Sequence, residues 1–324
     1  MRDLSNFTRL ENKSALKQRD EAVCLLPAAK LKFCDAAHVD APVIQGNIEN
    51  IDEKDFNNPQ LAAIYVNEIY DYMHSLELKF TVREHYLSGR IVTPKMRELL
   101  IDWLIQVHKR FQLLQETLFL GIQVLDRFLQ NNDIDKKHLQ LVGITSLLIA
   151  SKYEEQYSPE VNDFVYVSDN AYTAEEIKRM ERRMLKDLDI SLGKPLCLHF
   201  LRRDSKAAKV DLSIHALAKY LMELTLMDYE SVHILPSKIA AASLYLALKL
   251  KSTRTDFWSP TLKHYTRYSF KDIKSVVARI AQLQLKLKTS KYQTIKQKYS
   301  SSKLLSVSVI PQLSSPMIEE IAKL

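Results

Sequence analysis

The sequence predicts an all-α protein built from two successive runs of about five helices each. From Asn58 onward, apolar residues recur at three- and four-residue steps almost without a break, which is the spacing of helices packed on a core. Each run holds one segment that is apolar nearly all round, at 139–150 and at 239–248, and such a helix belongs at the centre of a bundle. No alternation of apolar and polar residues is sustained long enough to predict a sheet.

Helix start signals divide each run. Asn58-Pro59 and Thr93-Pro94 each give a cap followed by proline in the first turn, and Thr173 with Glu176 forms a capping box. Gly193 and Pro195 separate the two runs. The predicted helices cover about 59–76, 94–112, 115–130, 135–153, 158–165 and 173–188, and then 195–203, 211–229, 236–250, 259–268 and 270–287.

The same signals predict the domain boundaries. Residues 1–55 mix charges with alanine, proline and glycine and show little periodicity, so we expect a flexible tail. Residues 56–92 would form an N-terminal helix and linker, 93–192 the first helical domain and 193–302 the second. Residues 303–324 would be a C-terminal tail.

Composition excludes several classes of function. The chain has 324 residues but only 5 glycines, and it contains no Gly-rich phosphate loop of the dinucleotide or P-loop type. It also lacks the H-R-D and D-F-G motifs of protein kinases. The 3 cysteines are widely spaced and odd in number, and no C-x-x-C or H-E-x-x-H pattern occurs. We therefore expect a reducing compartment, no metal site and no cofactor.

No apolar run is long enough for a signal peptide or a membrane span, so we expect an intracellular, soluble protein of the cytoplasm and nucleus. The net charge of +7 is concentrated at the C-terminal end, where residues 251–324 hold 14 Lys and Arg against 4 Asp and Glu. A basic end is compatible with nucleic acid. However, these charges stand singly between apolar positions, which favours solvated helix faces.

An ordered series of motifs carries a resemblance to a known family. Met96-Arg-Glu-Leu-Leu-Ile-Asp-Trp-Leu104 resembles the M-R-x-I-L-x-D-W-L signature that opens the cyclin box. Further segments follow in cyclin order and near cyclin spacing at 114–118, 126–129, 139–143, 150–155 and 179–181. In the second half, the segments 198–203, 218–224 and 228–229 are similar to B-type mitotic cyclins specifically. Ser158-Pro159 and Ile310-Pro-Gln-Leu313 favour the second B subtype. The resemblance covers about 55–324.

The resemblance implies two tandem five-helix cyclin boxes with an extra N-terminal helix. It implies a regulatory subunit rather than an enzyme, one that binds and activates a mitotic cyclin-dependent kinase, helps choose its substrates and controls the G2/M transition. Such a subunit biases a mobile kinase helix toward its active position. The alternative is a cyclin-fold transcription or scaffold protein that binds nucleic acid.

Two residues match the family's kinase contacts, and three more are candidate contacts beside them. Lys152 and Glu181 would be paired contacts, with Tyr153, Leu185 and Tyr65 as apolar contacts. Lys152 ends the most apolar helix, where the helix dipole favours a cation. The alternative for the pair is an ordinary ion pair on a solvated face.

A stripe on the second predicted helix matches the family's docking patch for Arg-x-Leu substrate motifs. Met96, Leu99, Leu100 and Trp103 share one helix face, and Leu139 and Gln140 would line the same groove. Core packing is the alternative for such a stripe. Gln106 stands where cyclins with strong docking carry Glu, so we expect weaker, less selective docking here.

Two further sets of residues are singled out. Arg97 and Asp126 are family positions that we expect to form a buried structural pair. Arg202, Arg203, His215 and Lys219 would converge into an anion pocket for a phosphorylated partner. A solvated basic face is the equally weighted alternative for the second set.

One departure from B-type cyclins concerns their Arg-x-x-Leu destruction motif. No Arg before residue 90 is followed three places later by Leu, and Glu11-Asn12-Lys13 is not Lys-Glu-Asn. Arg97-Glu-Leu-Leu100 fits the letters but lies inside a predicted helix, where an extended degron could not be read. We therefore expect this chain to lack the usual tail signal for its own destruction.

Overall fold

The structure is a computed structural model that describes residues 48–252 and 257–324, where all regular secondary structure is helical. The first run consists of α1 Val66–Lys79, α2 Pro94–Phe111, α3 Gln115–Leu129, α4 Leu139–Glu154, α5 Val161–Val167 and α6 Ala174–Asp187. The second consists of α7 Cys197–Ala207, α8 Leu212–Leu224, α9 Pro236–Lys251, α10 Pro260–Thr266 and α11 Phe270–Lys286, followed by α12 Thr294–Tyr299 and α13 Pro316–Ile321. The predicted all-α class is confirmed, with α2–α6 and α7–α11 as the two five-helix units.

The start signals work locally as expected. The Thr93 hydroxyl accepts from the Met96 amide at 3.3 Å, and Pro94 occupies the first turn of α2. At α6, Thr173 and Glu176 exchange hydrogen bonds as a capping box. These side chains satisfy amides that a helix leaves unpaired at its start, so the helices begin where the caps stand.

The most apolar helix of each unit lies at its centre. α4 packs against α2, α3, α5 and α6, and twelve of its sixteen residues are buried. α9 packs in the same way against α7, α8, α10 and α11, also with twelve of sixteen residues buried. A helix surrounded on every side has no solvated polar face, which explains the two segments of the sequence that are apolar nearly all round.

The N-terminal helix begins later than predicted. Asn58 does cap the chain at Pro59, but it caps only a single 3₁₀ turn, Pro59–Leu61. Ala62 then adopts a left-handed conformation with φ of 48°, which ends the turn. α1 starts only at Val66, because a helix cannot continue through a left-handed residue.

The predicted flexible tail is wrong in its last eight residues. Residues 48–55, here called the N-terminal strap, pack against α7 and α10. The Asp52 carboxylate is 4% exposed and accepts from both terminal nitrogens of Arg203, at 2.5 and 2.6 Å, and from Lys206 at 2.8 Å. The Ile51 amide donates to the Tyr265 hydroxyl at 3.3 Å. Residues 1–47, including the Glu11-Asn12-Lys13 segment considered for a destruction motif, lie outside the described residues.

The C-terminal segment assigned to a tail is folded. α13 packs against α11, and Leu313, Ile318 and Ile321 are buried. α12, which was not predicted, packs against α2 and α8 and so joins the two units. None of the helices in the described part of the chain is long and apolar enough to cross a membrane.

Candidate functional site

Lys152 and Glu181 form an ion pair at the surface of the first unit. Lys152 lies in the last turn of α4 and Glu181 in the middle of α6, and Nζ of Lys152 donates to Oε1 of Glu181 at 2.6 Å. The Lys152 side chain is 47% exposed, whereas that of Glu181 is 13% exposed. The carboxylate is therefore held in place, and two ammonium protons of Lys152 make no hydrogen bond within the described part of the chain.

Apolar side chains are exposed around this pair. Tyr153 follows Lys152 and is 54% exposed, and Leu185 lies one turn after Glu181 and is half-buried. Ile190 is 73% exposed and has a left-handed φ of 54°. Its amide donates to the Leu185 carbonyl at 2.9 Å, which places it beside the end of α6. Aromatic and apolar side chains are enriched in the buried centres of protein interfaces, so this surface suits a partner.

Tyr65 belongs to a second exposed apolar surface. It precedes α1 and is 61% exposed, and Ile64, Ile69 and Tyr72 are exposed as well. α1 buries its other face against the second unit, where the Tyr70 hydroxyl donates to the His199 carbonyl at 2.9 Å. Because the helix is already anchored on one side, its outer apolar row is open to a partner.

The predicted docking stripe is split between surface and core. Leu99 is exposed, and Met96, Trp103 and Gln140 are half-buried. Leu100 and Leu139 are only 6% and 5% exposed, so they offer little surface to a docking motif, and their place in the patch stays a prediction. A Cβ added to Gly143 would lie 2.8 Å from a Leu100 methyl, which shows that Leu100 is pressed against α4. These two leucines support the exposed residues from beneath.

Gln106 is held by its own helix. Its amide donates to Oδ2 of Asp102 at 3.0 Å and lies 3.5 Å from the Thr294 hydroxyl of α12. Asp102 is 8% exposed, and its other oxygen has no hydrogen-bond partner among the described residues. α12 therefore closes one side of the docking stripe, a wall that the sequence did not indicate.

Arg97 and Asp126 link α2 to α3 below this surface. Nε and Nη2 of Arg97 each donate to one Asp126 oxygen at 2.6 Å, and the Tyr86 hydroxyl donates to the same carboxylate at 2.7 Å. Arg97 is 1% exposed and Asp126 5%. Burial lowers the pKa of Arg97, but the charge and hydrogen bonds of Asp126, together with Tyr86, outweigh burial, and the net shift is upward.

The basic residues of the second unit do not all converge. Arg203 faces inward, 5% exposed, and is closed off by Asp52 and by the rings of Tyr70 and Tyr265, so its assignment to the anion pocket is wrong. Arg202 faces outward and pairs with Glu116. Two neighbours on the same helix have opposite surroundings because they are 100° apart around its axis.

His215 and Lys219 remain near Arg202. Nδ1 of His215 lies 2.8 Å from the Ser205 hydroxyl. Burial, together with the nearby positive charges of Lys219 and Arg202, lowers the pKa of His215. Burial also lowers the pKa of Lys219, although Glu223 opposes it. The three form a partly desolvated basic cluster, with Glu116 beside Arg202 and Glu223 beside Lys219.

Comparison with known proteins shows the family to which this chain belongs. Residues 68–193 match the family model described as Cyclin, N-terminal domain, and residues 195–313 match Cyclin, C-terminal domain. G2/mitotic-specific cyclin-B of Spisula solidissima is 54% identical over 276 residues, or 85% of this chain. G2/mitotic-specific cyclin-B2 of Gallus gallus is 49% identical over 290 residues, which cover 89% of this chain and 72% of that protein. The chain belongs to the cyclin family, among its B-type members.

A solved structure supports the fold. The X-ray structure of a viral cyclin from herpesvirus saimiri matches with a TM-score of 0.57 and 21% identity, covering 65% of this chain and 97% of that one. The matched part of this cyclin spans 64% of the length of its Spisula relative.

The sequence of this cyclin did not predict three features: the exposed Ile190, the strap and α12. Ile190 follows a helix end and carries no motif, and only its exposure in a left-handed turn draws attention to it. The strap was missed because Asp52 stands among charged residues with no periodicity. α12 has six residues, too few for a clear helical pattern.

Proposed function

We propose that this cyclin is the regulatory subunit of a mitotic cyclin-dependent Ser/Thr kinase, that it has no catalytic activity of its own, and that it acts at the G2/M transition in the cytoplasm and nucleus. The observation that carries the proposal is the Lys152–Glu181 pair, in which Glu181 holds a half-exposed Lys152 next to the exposed Tyr153. The names of the B-type relatives supply the mitotic role.

The proposed mechanism is a shift in a kinase equilibrium. The remaining ammonium protons of Lys152 would bond carbonyls at the end of a mobile kinase helix, and Glu181 would hold Lys152 in the orientation required. Tyr153, Leu185 and Ile190 would bury apolar area against the same helix, and the outer row of α1 would add a second contact. Because these contacts form only with the active arrangement, binding favours it.

The test is stimulation of histone phosphorylation by a purified mitotic cyclin-dependent kinase mixed with the full chain. The Lys152→Ala/Glu181→Ala variant is expected to lose most of this stimulation. Arg182→Ala/Glu175→Ala is the matched control, because it removes another exposed ion pair, at 3.0 Å, from α6, the helix that carries Glu181. No stimulation by the intact chain, or equal stimulation by both variants, would contradict the proposal.

Substrate choice is proposed for the docking surface formed by Met96, Leu99, Trp103 and Gln140. The exposed Leu99 and half-buried Trp103 support it, since they keep apolar surface that is not buried in the core and that a substrate could contact. The residue that would receive a substrate Arg is a neutral amide, Gln106, already bonded to Asp102. This favours weak docking of Arg-x-Leu motifs.

Binding of a phosphorylated partner is proposed for Arg202, His215 and Lys219. The proximity of three basic side chains supports it, because a phosphate would accept charge-assisted hydrogen bonds from them. A phosphopeptide should bind the full chain and should not bind Arg202→Ala/Lys219→Ala. Unchanged binding by this variant would leave the cluster as a solvated basic face. For the chain as a whole, the B-type relatives disfavour the alternative of a nucleic-acid-binding scaffold.

A further inference from the structure

Four aromatic side chains of the second unit meet at the protein surface. The Tyr245 ring stacks on Phe270 with centroids 4.6 Å apart and contacts Phe257 and Trp258 at 5.1 and 5.4 Å. Trp258 is 8% exposed and donates its indole N–H to the Tyr268 carbonyl at 3.0 Å. Tyr245, Phe257 and Phe270 are only half-buried, so the cluster is not part of the closed core.

Lysines surround these rings. Lys249 follows Tyr245 by one turn of α9, and its ammonium lies 5.8 Å from the Phe257 ring centre. Lys263 on α10 and Lys271 at the start of α11 are both exposed. Together the rings and lysines line an open cavity of about 390 Å³, here called the aromatic–lysine cleft: Tyr245, Lys249, Phe257, Trp258, Lys263, Ser269, Phe270 and Lys271.

The described lining of the cleft is basic. Its described lining includes three lysines and no acidic residue. Among the described residues, the carboxylate next to this lining along the chain is Asp272, which is occupied by the Ser269 amide at 2.8 Å and hydroxyl at 2.6 Å. The cleft also includes the first residues of α11, and a helix start favours negative charge. An occupant should therefore be acidic at its rim and apolar at its centre.

We propose that the aromatic–lysine cleft binds a short acidic segment of a partner protein that carries one aromatic or leucine anchor. The anchor would enter between Phe257 and Phe270, and flanking carboxylates would face the lysines. The cavity volume lies in the range of sites that hold small ligands, about 300–1,000 Å³. An anchor of one side chain therefore fits the space that the rings leave open.

Single-stranded nucleic acid fits this surface less well. Its bases need open aromatic faces on which to stack. Here the faces of Tyr245 and Phe270 are already paired at an interplanar angle of 19°. The cations of the described lining are all lysines, so the planar guanidinium that grips phosphate in two places is missing.

The test uses a fluorescein-labelled peptide of Asp and Glu residues with one central Phe, titrated with the full chain and followed by polarisation. Binding should weaken with added NaCl. It should fall about tenfold or more in Lys249→Glu/Lys271→Glu. The matched control is Lys136→Glu/Lys137→Glu, two exposed lysines before α4, which should bind like the unmodified chain.

Two companion probes test the anchor and the alternative ligand. A peptide with Ser in place of Phe, and the Phe270→Ala variant with the original peptide, should each bind several-fold more weakly. Kinase stimulation should stay unchanged in Lys249→Glu/Lys271→Glu, which separates this proposal from the activating function. Equal binding by the two lysine variants, or tighter binding of oligo-dT than of the acidic peptide, would overturn the proposal.

Discussion

At the scale of single residues, the Arg97–Asp126 ion pair is buried, so each of its two charges depends on the other for stabilisation. Both side chains have left water, and each satisfies the other with two parallel hydrogen bonds of 2.6 Å. Removing one partner strands a charge in the protein interior, which costs far more than the pair itself contributes.

Arg97→Ala is expected to lower the free energy of unfolding by about 3–5 kcal/mol. Arg97→Lys should also destabilise the protein, because an ammonium cannot make two parallel bonds to one carboxylate. Urea unfolding followed by circular dichroism measures both. The exposed Arg182→Ala serves as control and should change little, and a similarly mild effect of Arg97→Ala would contradict the prediction.

Gln106→Glu is expected to tighten docking of an Arg-x-Leu peptide by up to about tenfold, because a carboxylate gives the incoming guanidinium a charge-assisted bond. The gain should shrink in high salt. Fluorescence polarisation measures it, with Gln156→Glu, an exposed position outside the docking surface, as control. An equal effect at both positions would show that net charge alone is responsible.

Residue roles could be predicted from the sequence only where a motif carried them. Lys152 and Glu181 are 29 positions apart, and no local pattern pairs them; the resemblance did. Arg203 was misplaced because its partner, Asp52, lies in a segment without periodicity. Because Arg202 and Arg203 are adjacent in the sequence, the sequence did not indicate which of these two arginines faces solvent.

At the scale of elements, α2 and α4 approach so closely at Gly143 that a side chain at this position would collide with Leu100. A Cβ on Gly143 would lie 2.8 and 3.0 Å from the two Leu100 methyls. This close approach buries Leu100 and leaves it little surface for a docking motif. The i, i+3, i+4 stripe was therefore correct as a helix face but spans both the core and the surface.

Gly143→Ala is expected to destabilise by about 1–3 kcal/mol through overpacking. Leu100→Ala should cost about 2–5 kcal/mol, and the double variant less than the sum, since the smaller residue makes room for the new methyl. Thermal and urea unfolding measure the cycle. Gly121→Ala is the control, because its Cβ would meet its nearest neighbour at an ordinary 3.4 Å. Strict additivity would contradict the prediction.

Helix existence was predictable where caps, proline and periodicity agreed, as for α2, α4, α6 and α9. The starts of α1 and the short helices α12 and α13 were not. Six-residue helices are unstable alone and form because of what they pack against, such as α11 beneath Ile318 and Ile321. That information is tertiary and is not present in the local sequence.

At the scale of the whole molecule, the junction of the two boxes carries surplus buried positive charge. Lys194 is 8% exposed and makes no ion pair among the described residues. Asp126, close to it, is already satisfied by Arg97, and Glu77 accepts from Ser237. Burial lowers the pKa of Lys194 to about 8, with a smaller effect of Arg127 in the same direction.

Lys194→Met is therefore expected to stabilise the protein by about 1–3 kcal/mol at pH 7.5. Between pH 8 and 10.5 the unfolded chain keeps a proton on Lys194 that the folded protein has lost, so folded stability rises with pH there. The advantage of the variant should shrink across this window. Urea midpoints at several pH values measure the difference, and a gap independent of pH would contradict the prediction.

The N-terminal strap has a consequence for the time course of synthesis. Asp52 leaves the ribosome 151 residues before Arg203, its partner on α7. At a translation rate of about 5–20 residues per second, the strap waits roughly 8–30 s before α7 exists. Until then the carboxylates of the strap and the inner face of α1 lack the α7 residues that they contact in the folded protein. Co-translational folding of the first box must therefore proceed without the strap, which docks only when the second box emerges.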